Sequence, residues 1–189
     1  MPEPTSTLDQ RDRILTSAVQ VLQDEGAGAL TVRRVAAGAD CSTTGVYTYF
    51  GGKEGLVDAL FVEGFTSFDA ALDEVGHDLV ELGRTYRRWA LDHSTYYLVM
   101  FGRAVPDFEP SDQAMATAAR SFERLVDAVA RAHPTADDAT ARQRAFHLWA
   151  TVHGYVMLEL QGMSPPGLED IEHLFALGLG RVTDETLRR

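Results

Sequence analysis

The stretch TVRRVAAGADCSTTGVYTYFGGK, residues 31–53, decides the fold of this chain of 189 residues. It predicts two short helices, one over 32–37 and one running from Ser42 to about Phe50. Thr31 and Ser42 are good N-caps, because a hydroxyl can accept a hydrogen bond from a free amide of the first turn. The few residues between the helices allow only a sharp change of direction. This is the outline of a helix-turn-helix, whose second helix enters the major groove of DNA.

Helical spacing sorts the side chains of this stretch by direction. The positions predicted to point inward are Val35, Ala36, Val46 and Phe50. Those left facing outward, where hydroxyls can bond base edges and a glycine permits close backbone approach, are Thr43, Thr44, Gly45 and Thr48. A flanking ring suited to phosphate contacts consists of Arg33, Tyr47, Tyr49 and Lys53. With the caps Thr31 and Ser42, these two outer groups form the predicted DNA-binding set.

The stretch resembles the DNA-binding end of the tetracycline-repressor (TetR) family of one-component bacterial regulators. The residues that carry the resemblance are Thr31-Val32, Val35-Ala36, Ser42, Val46-Tyr47-Thr48-Tyr49-Phe50, Lys53-Glu54 and Leu56. One turn position departs from the family pattern, since Asp40 stands where the family usually has glycine. Aspartate tolerates a left-handed backbone better than most residues, so the turn survives, but its charge beside DNA is unfavourable.

The rest of the chain shows helical periodicity and no strand pattern. A capping box at 7–10 opens a first helix, and further helices are predicted over 53–75, 78–91, 93–101, 112–132, 135–161 and 168–179. The expected fold is all-α, with a three-helix head over 1–52 and a larger helical domain over 53–189. The helix over 53–75 would begin at the DNA and link the head to the larger domain.

The stretch LWATVHGYVMLEL, residues 148–160, supports a second resemblance. It is similar to the Trp…His-Gly signature of one TetR subgroup, the WHG class, as is YLVMFG at 97–102 followed by Pro106. The resemblance implies a ligand-sensing domain that dimerises through its last two long helices, here about 137–161 and 168–181. Those helices are also apolar on more faces than one core requires, which is typical of an interface. Gly154 would allow close helix approach there.

Aromatic, methionine and histidine side chains cluster in the middle helices and predict a mostly apolar ligand cavity. They are Trp89, Tyr96, Tyr97, Met100, Phe101, Phe122, Phe146, Trp149, His153 and Met157. The same stripes are equally typical of an ordinary core, so that alternative stays open. For His153, the alternatives are a polar contact to the ligand and a hydrogen bond to a neighbouring carbonyl.

The net charge of −11 is unevenly distributed along the chain. Residues 1–56 hold five Lys or Arg against seven Asp or Glu, and residues 57–189 hold twelve against twenty-one. Within 31–53 the count is three against one. Because DNA binding depends on the local field, the acidic whole does not exclude a basic DNA-binding face.

Several other classes of protein are disfavoured. The sequence lacks the His-Glu-x-x-His, paired-cysteine and Gly-x-Ser-x-Gly patterns, so we expect no enzyme activity, cofactor or metal. It also lacks an apolar run long enough for a membrane and a signal-peptide pattern. The single cysteine, Cys41, is expected in the core and fits a reducing, cytoplasmic location.

The sequence therefore predicts a homodimeric transcriptional regulator, most simply a repressor released from a near-palindromic operator by a small, mostly apolar molecule. An activator is an alternative, because the direction of regulation depends on where the operator lies. A second is a small-molecule binding protein of this fold without DNA function. A third is a helical enzyme that uses the central cavity, for which loss of turnover on changing His153 would be the signature.

Overall fold

The computed structural model describes residues 9–163, 166–168 and 170–187, with Leu187 described by its backbone alone. This part of the chain contains nine α-helices, one 3-10 turn (Ala27–Ala29) and no strand, which confirms the all-α class. The helices are α1 (Gln10–Glu25), α2 (Val32–Gly38), α3 (Thr43–Phe50), α4 (Lys53–Asp73), α5 (Leu79–Asp92), α6 (Ser94–Phe101), α7 (Asp112–Ala132), α8 (Asp138–Leu160) and α9 (Ile171–Leu187).

The first three helices pack as a head around a small apolar core. Ile14 of α1, Val35 of α2 and Val46 of α3 are fully buried, as their spacing predicted. A polar contact adds to the core, because the Ser17 hydroxyl donates to the backbone oxygen of Val35 at 2.9 Å. A Cβ on Gly38 would lie 2.3 Å from that hydroxyl oxygen, so a side chain there would displace the hydroxyl from its contact with α2.

Both predicted caps of the helix-turn-helix are confirmed. The Arg34 amide donates to Oγ1 of Thr31, and the Gly45 amide donates to Oγ of Ser42, each at 3.2 Å. Each hydroxyl satisfies one amide that has no partner inside its helix. The two helices of the motif therefore have defined starting points.

The chain forms two compact units that do not follow the predicted boundary after residue 52. The first unit comprises Met1–Gly64 and Thr95–Met115, and the second comprises Phe65–Ser94 and Ala116–Arg189. The start of α4 and nearly all of α6 thus belong to the compact unit that contains the head. Neither stretch could be assigned to it by sequence, because the contacts join distant positions.

Contacts between α4 and the segment after α6 hold the first unit together outside the head. The Asp58 carboxylate accepts from both the backbone amide and the hydroxyl of Ser111, each at 2.8 Å. The Phe61 and Phe108 rings lie 6.1 Å apart. The Ser111 hydroxyl in turn accepts from the Ala114 amide at 3.2 Å, which confirms Ser111 as the cap of α7.

The second unit is built around α5, α8 and α9. The Arg87 guanidinium donates to both carboxylate oxygens of Glu159, at 2.9 and 2.7 Å, and lies 5.4 Å from the centre of the Phe175 ring. Gly83 is buried, and a Cβ there would lie 2.5 Å from a methyl carbon of Leu179. These contacts fix α5 against both C-terminal helices.

Several predicted helix boundaries are wrong for local reasons. α8 begins after Asp137, whose carboxylate accepts from the Thr140 amide at 2.8 Å, and not at Thr135. α9 begins at Ile171 and extends to Leu187, well past the predicted end at 179, because Val182 continues its buried stripe. α4 ends slightly early, at Asp73. The capping box at 7–10 lies mostly outside the described residues, and the Asp9 side chain makes no cap hydrogen bond.

Candidate nucleic-acid interface and aromatic cluster

Helix α3 presents a continuous polar face to solvent. Thr43, Thr44 and Thr48 are exposed, as is Tyr47 with 57% of its surface accessible. The Thr48 hydroxyl donates to the backbone oxygen of Thr44 at 2.8 Å and keeps its lone pairs free to accept. Within the described part of the chain, the hydroxyls of Thr43, Thr44 and Tyr47 have no partner. This face can exchange hydrogen bonds with a ligand that has both donors and acceptors.

Of the three cationic side chains in residues 31–53, two are available to bind an anion. Arg33 and Lys53 are exposed and form no ion pair with any described residue. Arg34 is held differently, because its guanidinium donates to Glu25 and lies 2.7 Å from that carboxylate. The hydrogen bond to Glu25 raises the pKa of Arg34 above its ordinary value. The role of Arg33 as a phosphate contact stays a prediction.

The turn between α2 and α3 is closed by an aspartate in the left-handed region. Asp40 has φ of +49°, and the amide of the next residue, Cys41, donates to Ala36 at 3.0 Å. The left-handed turn expected from the aspartate is therefore present. Cys41 is only half-buried, so its expected place in the core is wrong.

The prediction that Gly45 lies on the exposed face of α3 is wrong. This glycine is half-buried, and a Cβ there would lie 2.9 Å from Nε2 of Gln10 and 3.8 Å from Sγ of Cys41. The first residue of α1 thus covers this part of α3. Sequence reasoning missed Gln10, since no local pattern links the start of one helix to the start of another two elements later.

Glycines also fix the junction between α3 and α4. The Gly51 amide donates to the Tyr47 oxygen at 2.9 Å with φ of +71°, which ends α3. The Tyr47 ring lies against Gly52, 3.5 Å from a Cβ placed there. A Cβ on Gly55 would lie only 1.9 Å from the backbone oxygen of Phe50. The requirement for glycine at position 55 was also missed by sequence reasoning, because it arises from tertiary packing.

The residues predicted to bind a ligand are divided between the two compact units. In the first unit, Tyr97 is fully buried with its ring 5.0 Å from Phe101. A Cβ on Gly64 would lie 2.7 Å from Sδ of Met100 and 3.4 Å from the Tyr96 ring. Burial, and then the Glu63 carboxylate, raise the pKa of Tyr96. Met100 and Tyr96 therefore pack against the middle of α4, while Tyr97 and Phe101 pack against each other.

In the second unit, the Trp and His of the WHG stretch meet at a tyrosine of α5. Nε1 of Trp149 donates to Oη of Tyr86 at 3.3 Å, and Oη lies 3.2 Å from Nδ1 of His153. Burial lowers the pKa of His153, which favours a neutral ring whose Nδ1 accepts the tyrosine proton. Nδ1 of His153 thus lies against a tyrosine hydroxyl, and the contact of His153 with a ligand stays a prediction. Tyr86 itself was missed by sequence reasoning.

The other residues of the second unit that were predicted to bind a ligand differ in burial and in their contacts. The Phe122 and Phe146 rings lie 6.0 and 5.8 Å from Trp149. Phe146 is 58% exposed, so it does not line an enclosed cavity in this chain. Trp89 is buried against Phe68 at 5.1 Å, and its Nε1 donates to Ser67 at 3.2 Å, which is a core position.

The described residues contain no group of three His, Cys, Asp or Glu side chains arranged to hold a metal ion. Among the helices of that part, none has the length and apolarity needed to cross a bilayer.

Two family models match the chain. Residues 14–60 match the model of bacterial regulatory proteins of the tetR family, and residues 79–182 match that of the tetracyclin repressor-like C-terminal domain. The first range contains the helix-turn-helix, and the second contains the Tyr86, Trp149 and His153 cluster. The fold and the polar face of α3 define a DNA-binding transcriptional regulator. The chain belongs to the TetR family of these regulators.

Individual proteins show the same relationship. The HTH-type transcriptional regulator Rv1816 of Mycobacterium tuberculosis is 25% identical over 195 residues, covering 82% of this chain and 83% of that protein. The HTH-type transcriptional repressor DrrR1 of Streptomyces coeruleorubidus is 42% identical over 59 residues, which cover 31% of this chain and 21% of the repressor. The crystal structure of SCO4313, a protein assigned a regulatory role, superposes with a TM-score of 0.81 at 27% identity over 92% of this chain and 95% of that one.

Proposed function

We propose that this regulator is a homodimeric repressor that leaves its operator when a small, mostly apolar molecule binds. The observation that carries the proposal is the exposed polar face of α3, whose start is fixed by Ser42 and whose end is fixed by Gly51. A recognition helix needs such fixed ends, because a small change in its position misaligns every contact with the base edges.

The proposed DNA contacts fall into two kinds. Thr43, Thr44 and Thr48 read base edges in the major groove, while Arg33 and Lys53 neutralise phosphates on either side. Tyr47 and Tyr49, both exposed, add hydrogen bonds to the backbone of the operator. In a dimer, two such helices would lie in successive major grooves about 34 Å apart.

Helices α8 and α9 support dimerisation, because both leave apolar surface uncovered in the single chain. Phe146 and Leu158 of α8 are 58% and 51% exposed, and Leu177 of α9 is 46% exposed. A Cβ on Gly154 or Gly180 would meet nothing within 4 Å, so the space beside both glycines is open to a second backbone. Exposed apolar surface of this kind marks an interaction site, and α8 with α9 from two chains would form a four-helix bundle.

The aromatic cluster of the second unit supports a ligand that is mostly apolar. The Trp149 ring lies 5.6 Å from the His153 ring and 6.0 Å from the Phe122 ring, beside the hydrogen-bonded pair of Tyr86 and His153. Apolar rings with a few polar groups are the mixture found in ligand sites. Two proteins of the same fold hold small molecules in their crystal structures. They are the multidrug binding protein EbrR with imidazole, at 23% identity and a TM-score of 0.60, and TetR-Q116A of Acinetobacter baumannii with minocycline, at 18% and 0.63.

The first experiment identifies the operator and then tests the α3 face. Genomic fragments selected by the purified protein supply the sequence, and the affinity of four alanine variants is measured on it. Changing Tyr47 or Lys53 should weaken binding to all sequences about equally, whereas changing Thr43 or Thr44 should alter which sequence is preferred. Arg131→Ala, which removes an exposed cation of α7, is the matched control and should leave binding unchanged.

Two outcomes would contradict the proposal. If all four variants bound the selected operator as the unchanged protein does, the α3 face would not be the DNA-binding surface. If the protein gave no salt-dependent gel shift with any DNA and selected no fragment, the alternative of a small-molecule binding protein would be favoured.

A further inference from the structure

The carboxamide of Gln10 occupies a position beside α3 that a side chain of α3 itself would otherwise fill. A Cβ on Gly45 would lie 2.9 Å from Nε2 and 3.7 Å from Cδ of Gln10. Gln10 is half-buried, and its amide has no hydrogen-bond partner among the described residues. The missing side chain at Gly45 therefore allows α1 to place a donor and an acceptor against the recognition helix.

The contact holds the first turn of α1 along α3. Arg11, the next residue, has its guanidinium 5.7 Å from the centre of the Phe50 ring at the far end of α3. Two adjacent residues of α1 thus contact the beginning and the end of the same helix. The backbone at Gln10 is therefore held close to α3, within reach of its polar face.

Helical geometry places Gln10 and Tyr47 on opposite flanks of the polar face. Successive residues of an α-helix are turned by about 100°, so positions 45 and 47 differ by about 200°. Val46 lies between them and points into the core, while Thr44 and Thr48 point away from it. One flank carries the exposed Tyr47 of α3 itself, and the other carries Gln10 supplied by α1.

We propose that Gln10 is a further DNA-contacting residue, whose carboxamide binds a phosphate on the side of the major groove opposite to that contacted by Tyr47. The proposal rests on the proposed function of the α3 face. A groove has one backbone strand on each side, so a helix inserted in it can be held by a hydrogen-bond donor on each flank. Glutamine is among the neutral side chains that donate to phosphate oxygens.

The neutral charge of the amide gives this contact a distinctive signature. A cation that neutralises a phosphate releases counterions, so its removal makes binding less dependent on salt. Loss of an amide donor removes a hydrogen bond without changing the number of released ions. Gln10→Ala should therefore lower affinity about three- to tenfold at every salt concentration. Lys53→Ala should instead reduce the salt slope by about one.

The test measures operator affinity for three variants between low and moderate salt. Gln10→Ala and Gln10→Met should both weaken binding to the selected operator and to a scrambled duplex by the same factor, because methionine keeps the length and apolar volume but has no donor. Gln23→Ala is the matched control, since Gln23 is an exposed glutamine of the same helix. It should bind as the unchanged protein does, and thermal midpoints of all three should remain close to it.

A double-mutant cycle tests the pairing of Gln10 with Gly45. Gly45→Ala places a methyl group where the carboxamide lies, and so displaces the flexible end of Gln10. The loss should approach that of Gln10→Ala, and the double variant should be less than additive, because the same contact is removed twice.

Each of the following results would overturn the inference. Full affinity in Gln10→Met would show that the side chain acts by packing and not by donating. A change in base preference instead of a uniform loss would place the amide on a base edge. Full additivity with Gly45→Ala would separate the two positions. If Tyr47→Ala weakens binding while Gln10→Ala does not, only this inference fails, whereas loss of both effects removes the proposed α3 face itself.

Discussion

At the scale of single residues, Asp40 combines a conformational role with an unfavourable charge. Its φ of +49° closes the helix-turn-helix, and it is exposed two residues before the cap of α3. Asparagine adopts the left-handed region about as readily as aspartate, so Asp40→Asn separates the charge from the conformation.

We expect Asp40→Asn to fold as stably as the unchanged protein and to bind the operator roughly two- to threefold more tightly at low salt, because a negative charge near the phosphates is removed. The gain should shrink as salt is raised. Asp24→Asn, which neutralises an exposed carboxylate at the other end of α1, is the control. Equal gains in both variants would mean that only the net charge of the head matters.

His153 gives the second prediction at this scale. Its pKa in the folded chain is lowered below the ordinary value of 6.5 by burial. As the pH falls below that value, the unfolded chain binds more protons than the folded one, so this residue contributes stability above pH 6.5 that is lost below it. Protonation of Nδ1 would also remove the acceptor for the Tyr86 hydroxyl.

His153→Gln should therefore reduce the loss of stability between about pH 7.5 and pH 5.5, measured as the shift in urea midpoint. His147→Gln is the matched control, since His147 is an exposed histidine on the same helix. An unchanged pH dependence in the His153 variant, or the same change in both variants, would show that burial of this ring does not govern the acid sensitivity.

The limits of sequence reasoning are clear at residue scale. The caps Thr31 and Ser42 were predictable, because a capping hydroxyl and its amide lie within three residues of each other. The pairing of Gln10 with Gly45 was not, since it depends on how α1 crosses α3. Tyr86 was missed for the same reason, because its partners on α8 are more than sixty positions away.

At the scale of helices, the junction of α3 and α4 depends on Gly55. The helices approach so closely that a side chain at this position would overlap the Phe50 backbone oxygen, with 1.9 Å between that oxygen and a Cβ. A backbone atom cannot rotate away as the end of a flexible side chain can. Any larger residue must therefore move one helix relative to the other.

Gly55→Ala should lower the free energy of unfolding by about 1–3 kcal/mol, as overpacking does, and the thermal midpoint by roughly 3–10 °C. Operator affinity should fall as well, since α3 would be displaced. Gly28→Ala supplies the matched control, because a Cβ there meets nothing within 4 Å. A stable Gly55 variant with full DNA affinity would show that the junction adapts freely.

Helix boundaries show what periodicity can and cannot establish. The pattern identified every long helix of the described chain, because buried positions recur each turn. It placed the start of α8 at Thr135, whereas Asp137 caps this helix. Both residues have side chains suited to capping, and only the folded backbone selects between them. It ended α9 at 179, because the buried stripe beyond includes polar Thr183 and Thr186.

At the scale of the whole molecule, the proposed dimer depends on the uncovered apolar residues of α8 and α9. Phe146→Glu and Leu177→Glu should each shift the protein to monomers, because a carboxylate cannot be buried in an apolar interface without a partner. Light scattering at micromolar concentration checks the mass. DNA affinity should fall by more than tenfold, since two heads would no longer bind together.

Met115→Glu is the control for these changes. It puts the same charge on an apolar residue of α7 that is 52% exposed and is not part of the proposed interface. This variant should keep the mass of the unchanged protein. Dimers in both interface variants, or loss of dimers in the control, would place the subunit contact elsewhere.

The division into Met1–Gly64 with Thr95–Met115, and the rest of the chain, has a practical consequence for building hybrid regulators. A graft that exchanges only the amino-terminal segment would pair a foreign α4 with the resident segment after α6, and so lose Asp58 facing Ser111. A working chimera of this protein therefore calls for three crossovers, after residues 64, 94 and 115, with both segments of the first unit taken from one parent.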